Sequence, residues 1–222
     1  LDLSGAQTAS TYSGGLTVNS GILGFANEQN VGSGTITMGG GTLRYMPTGT
    51  TALTIPNASI VLSASTGSTI EVSDAGGTLT ASGILSGAGD LAKTGAGTLI
   101  LSNANTYTGD TTVSEGTLRI NGNQSSATGA IAISSGATLG GTGTLGTTSI
   151  TGAGQLTAGL AGDTGTIHFA GNLSTTGVTW LVDLVHQNSV DFVNVSSGGL
   201  DITGSKLLLS TSGTFNSSDP TA

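Results

Sequence analysis

The 222-residue sequence contains no cysteine, three prolines, one tryptophan and four lysine or arginine residues. Without cysteine there are no disulfides and no thiolate metal sites, so the fold must hold by packing and hydrogen bonding alone. Four basic residues against twelve acidic ones leave a formal net charge of −8. Such a surface repels phosphate backbones and anionic lipid head groups, which argues against nucleic-acid partners and electrostatic membrane docking. No run approaches the roughly 18–20 apolar residues of a membrane helix. The chain opens in mid-pattern at Leu1-Asp2-Leu3 with no signal peptide, so it is expected to be a fragment or mature piece whose targeting information lies elsewhere.

What is present is glycine, 39 residues of it, together with short runs of Leu, Ile, Val and Thr. Apolar residues recur at spacing two, as in Ile70-x-Val72, Leu99-x-Leu101, Leu118-x-Ile120 and Ile131-x-Ile133. That alternation puts one side chain inward and the next outward on a half-exposed strand. Gly-Gly, Ser-Gly and Asn-Gly pairs between the runs supply turns. Units ending in Leu79, Leu99, Leu118 and Leu139 read Gly-Thr-Leu or a close variant. An apolar residue returning about every 20 residues is the mark of one rung of a β-solenoid. Ten rungs or so, stacked at about 4.8 Å, would make a rod of roughly 50 Å. Its inward candidates are Leu79, Leu99, Leu118, Leu139, Val113, Ile120, Ile131 and Ile133. A longer offset also aligns Tyr12 with Tyr107 and Leu23 with Leu118, which suggests a module of four or five rungs.

One segment carries a much denser pattern: Leu91, Lys93, Thr94, Gly95, Gly97, Thr98, Leu99, Leu101, Asn105, Thr106, Tyr107, Gly109, Thr111, Val113, Gly116, Thr117 and Leu118. This pattern closely resembles the autotransporter-associated β-strand repeat, also called the passenger-associated transport repeat. Leu3 to Leu23 is a looser copy, with residues inserted before Tyr12. Residues 1–150 therefore read as a β-helix built from such repeats. Residues 151–222 resemble the end of a passenger, with Ala158 where proline is usual. The resemblance implies an all-β, right-handed parallel β-helix (a β-solenoid) with rungs of about 20 residues. It places that rod in a non-catalytic structural or adhesive passenger of a Gram-negative cell surface. It also implies type V secretion, a C-terminal outer-membrane β-barrel outside this chain, and a region from about 155 to 222 that seeds folding. Host-surface ligands and self-association are the partners to expect. The alternatives are a filament or surface-layer subunit and, less in keeping with the residues, a polysaccharide-active enzyme.

Candidate chemistry is sparse. Asp183, Asp191 and Asp201, near His186, form the only acidic concentration, and alternation points the first two outward on successive strands. His168 and His186 stand too far apart along the chain for a local ligand pair. There is no Gly-x-Ser-x-Gly elbow, and the glycine-rich stretch Gly136 to Gly146 lacks the Lys-Ser/Thr of a phosphate loop. No catalytic, cofactor-binding or metal-binding residue is expected, and no cofactor. Tyr12 and Tyr107 are expected to cap a strand end and cover a turn. Trp180 is expected in the core or over the last rungs. Thr-x-Thr pairs at Thr35, Thr78, Thr142 and Thr164 bring ice-binding solenoids to mind, but their uneven spacing does not stack them.

Overall fold

The computed structural model describes residues 1–3, 13–47, 51–55, 59–63, 67–146, 149–159, 165–186, 189–190, 192–195 and 199–211. Across them the chain winds as a parallel β-solenoid of about seven turns, with rungs of about 23 residues. Each full rung visits three faces in order. Among the described residues the first face holds nine strands, including Ile22–Phe25, Thr42–Tyr45, Ser68–Val72, Leu91–Thr94, Thr111–Val113 and Ile131–Ile133. The second holds Ala52–Ile55, Thr78–Ala81, Thr98–Leu101, Thr117–Ile120, Thr138–Gly140, Gln155–Thr157, Thr179–His186 and Lys206–Thr211. The third is laid down as Leu16–Val18, Ile36–Met38, Ile60–Leu62 and Leu85–Gly87, then resumes at Asn123–Gln124 and continues to Phe192–Val195.

The alternation read from the sequence is the packing. In Thr98–Leu101 the first and third residues face outward while Leu99 and Leu101 are fully buried. Parallel pairing stacks like on like: Leu53, Leu79, Leu99, Leu118, Leu139 and Leu156 form one inward column, followed by Trp180 and Leu207. All eight inward candidates are buried, the most exposed being Ile131 at 7%. Trp180 sits in this column at 6% exposure, against Phe169 and with its indole N–H donating to Thr175 Oγ1 at 3.1 Å.

Two expectations need correcting. The stack is shorter than ten rungs, roughly 35–40 Å, because several treads, such as Thr42 to Thr69 and Ser174 to Asp201, run well beyond 20 residues. On the first face the ladder advances evenly from Leu91 to Thr111 to Ile131, but the earlier tread from Thr42 to Thr69 is much longer. The offset that equates Leu23 with Leu118 is likewise not a structural module. It sets Ile22–Phe25 on the first face against Thr117–Ile120 on the second, and Leu16–Val18 on the third against Thr111–Val113 on the first. The reason lies at residues 26–31, where a second-face strand would fall. There the chain makes a 3-10 turn, Glu28–Asn30, closed by reciprocal Asn27 and Asn30 side-chain bonds. This turn packs beside Ala52–Ile55, the edge strand of the second face, and shields it from further pairing.

Candidate functional site

The densest motif occupies one rung, residues 91–101, with its descent to the next. Gly-Thr-Leu is a corner with three tasks. A Cβ on Gly97 would lie 2.4 Å from the Asp74 carbonyl oxygen, so only glycine lets the rungs approach here. Thr98 then faces outward, and Leu99 drops into the core. One rung on, Gly116 adopts φ +63°, with no room for a Cβ beside the Gly97 and Gly95 carbonyls. Thr117 N–H donates to Gly97, and Leu118 is buried.

Lys93 shares the parity of buried Leu91, and its side chain goes where that parity sends it: inward, between Ile70 and Val113, with no exposed surface. Its ammonium donates to three carbonyls, those of Thr94 at 2.8 Å, Gly95 at 2.7 Å and Glu115 at 3.1 Å. Two belong to its own corner and the third to the next rung, so the ammonium staples the two rungs together. Burial pulls its pKa down to about 8, opposed by the nearby charges of Glu115 and Glu71. Glu71 in turn accepts from Arg44 Nε at 2.8 Å.

Asn105 and Tyr107 complete the third face where it lacks regular strand. Thr106 and Thr108 N–H groups donate to Leu85 and Gly87, which continues the parallel ladder. The returning bond from Leu85 N–H ends on Asn105 Oδ1, at 2.7 Å, so a side-chain amide replaces a main-chain carbonyl. Tyr107 is 4% exposed, and its hydroxyl pairs with Thr111 Oγ1 at 2.8 Å. The expectation that Tyr107 covers a turn is therefore corrected: the ring lies inside, because it has the parity of Asn105 and not of the outward threonines. Tyr12 lies outside the described residues. Gly109 leads into an exposed corner where Asp90 Oδ1 accepts Asp110 N–H and Asp110 Oδ1 accepts Ala130 N–H, each at 2.8 Å. Val113 is fully buried and Thr111 nearly so. The inward turn of Lys93 and Asn105 was missed in the sequence; their spacing of two from Leu91 and Tyr107 was the available signal.

Asp183 and His186 belong to the strand Thr179–His186, and Asp191 lies outside the described residues. Asp201 is exposed, and hydrogen bonds from the Thr203 hydroxyl and N–H hold its carboxyl below the usual range. Half-buried His168 pairs across the third face with Thr144 and Asn194. Among the described residues no three His, Asp or Glu side chains converge as metal ligands. Threonines do stack, but single file: Thr78, Thr98, Thr117 and Thr138 are in register, whereas the neighbouring outward column runs Thr54, Thr80, Ile100, Arg119, Gly140. Among the described residues of this face there is no double threonine row.

Fold and motif together define a repeat-bearing parallel β-solenoid. Two segments, residues 1–24 and 91–120, match the passenger-associated-transport-repeat family. A 67-residue stretch is 49% identical to the adhesin BmaC autotransporter of Brucella suis biovar 1 (strain 1330). That match covers 30% of this chain and 2% of the adhesin, so the chain spans a small part of its relative's length. No solved structure matches.

Proposed function

We propose that this chain is a stiff, non-catalytic segment of a surface-displayed autotransporter passenger, holding adhesive contacts away from the envelope. The observation that carries this reading is the direction of the motif's polar side chains. Lys93, Asn105 and Tyr107 are committed inside, to bonds between or within rungs, so the outward positions of the motif itself are mainly threonine and glycine. A translocating β-barrel would lie elsewhere in the protein, and the setting would be the exterior of a Gram-negative cell. The test replaces the segment, within its parent passenger, by an unrelated solenoid of equal rung number. Adhesion that survives the exchange supports a spacer; adhesion that disappears gives the ligand contacts to this segment. Incubation with acidic and neutral glycans should yield no cleavage products, and turnover would overturn the non-catalytic reading. End-to-end assembly is the second reading, favoured by Leu207 and Leu208 on the second-face strand Lys206–Thr211, 60% and 52% exposed among the described residues. Sedimentation that stays monomeric across concentration would dismiss it.

A further inference from the structure

Where the second face gives way to the third, between Thr117–Ile120 and Asn123–Gln124, the chain turns through Gly122. Space dictates the glycine. A Cβ on Gly122 would collide with the Asn103 carbonyl one rung back, and a Cβ on Gly143, one rung on, would collide with the Gly122 carbonyl. The residue before Gly122 is Asn121, and this is the one Asn-Gly dipeptide in the sequence. Asn-Gly is the pair most prone to lose ammonia, because no glycine side chain hinders approach of its nitrogen to the asparagine carboxamide carbon. The tight corner therefore brings a reactive bond with it.

The stack withholds what that reaction needs. The nucleophile is the Gly122 amide nitrogen once it sheds its proton, and this N–H donates to the Leu101 carbonyl at 3.0 Å. The same carbonyl takes the Asn121 N–H at 2.9 Å, so both amides are tied to the rung behind. From the rung ahead, Gly143 N–H donates to the Ile120 carbonyl at 2.8 Å and Thr144 N–H to that of Gly122 at 3.1 Å. Asn121 itself is exposed, so what restrains it is the held backbone.

We propose that Asn121 is a deamidation site gated by folding, stable in the stacked solenoid and reactive whenever this rung is open. In the step, the Gly122 nitrogen bonds to Asn121 Cγ, the Cγ–Nδ2 bond breaks, and ammonia leaves with the proton that the Gly122 amide gave up. Water then opens the succinimide at one of its two carbonyls, giving aspartate or, in the larger share, isoaspartate. Isoaspartate routes the main chain through Cβ and Cγ, one carbon longer, into a corner with no room beside Asn103 and Gly143. A chain that waits unfolded thus loses, by its own chemistry, the ability to close this rung.

The test times the reaction in both states. The chain is aged at mildly alkaline pH, folded in buffer or unfolded in guanidinium chloride, and residue 121 is followed by peptide mapping. Deamidation there should run roughly tenfold or more faster in the unfolded chain, since a corner held on both sides opens rarely. On removal of denaturant, the refolded fraction of aged chain should fall in step with its isoaspartate content. Asn121→Gln aged alike should refold in full, because glutamine closes the corresponding larger ring far more slowly. Fresh Asn121→Asp carries the new charge without the extra carbon and should fold as the parent does. Equal deamidation rates in the two states would overturn the gating. Isoaspartate-bearing chain that refolds as fully as fresh chain, or Asn121→Asp that fails to fold, would overturn the main-chain block.

Discussion

The rungs from Leu91 to Thr157 and those from Leu173 onward are built on one plan and covered very differently. In the first group the first-face ladder advances evenly, from Leu91 to Thr111, Ile131 and Ile150. Every leucine of the second-face column there has a rung on both sides. In the second group the treads lengthen, from Ser149 to Ser174 and from Ser174 to Asp201. One strand there, Thr179–His186, is twice the usual length and folds back antiparallel onto Ser189–Val190. Leu99 and Leu118 are wholly buried, whereas Leu207, in the same column, is 60% exposed. A solenoid leucine thus takes its worth from its neighbours above and below, since the rung that carries it covers only part of it.

The largest effect should come from removing the second group together with the last strand of the first, Gln155–Thr157. Deleting residues 155–222 uncovers Leu139 and, on the reading that this end seeds folding, should slow or abolish refolding of residues 1–150; unchanged kinetics would discard that role. Next, Leu118→Ala should cost about 2–5 kcal/mol of unfolding free energy, against less than about 1 kcal/mol for Leu207→Ala, measured in urea. Equal losses would erase the contrast between the two groups. Gly116→Ala forces an L side chain to φ +63° against two carbonyls and should cost about 1–3 kcal/mol.

Lys93 sharpens the comparison from the polar side. Lys93→Met leaves the carbonyls of Thr94, Gly95 and Glu115 without their donor, a loss of about 1–3 kcal/mol. Its pKa is about 8 in the fold and returns to the ordinary 10.5 on unfolding. Between those values the unfolded chain binds more protons, so the stability contributed by this site rises with pH across that window and is lost again as pH falls through 8. The methionine variant should lose that slope, read by comparing urea midpoints at the two ends of the window. Smallest of all is the exposed corner: Asp110→Ala removes one acceptor for the Ala130 N–H and should cost under about 1 kcal/mol.

Much of the fold was legible because parity and interval are geometric. Leu79, Leu99, Leu118 and Leu139 announce both the inward column and the rung length, and strands obey a period of two regardless of context. Where the chain departs from its interval the sequence misleads. The turn at Glu28–Asn30 carries no signal that a face has been skipped, so the like motifs around Leu23 and Leu118 land on different faces. The polar core was hidden for another reason. Lys and Asn are surface residues by habit. Only the carbonyls of its own corner and of the next rung make Lys93 an interior one, as a missing main-chain bond does for Asn105.

The outward column Thr78, Thr98, Thr117, Thr138, Gln155, Thr179, Lys206 gives the most direct test of the stacking itself. Spin labels at Thr78 paired in turn with Thr138, Gln155, Thr179 and Lys206 should report distances that climb by about 5 Å for each added rung. A series that fails to climb, or that falls into two groups as facing antiparallel layers would produce, would contradict the parallel solenoid.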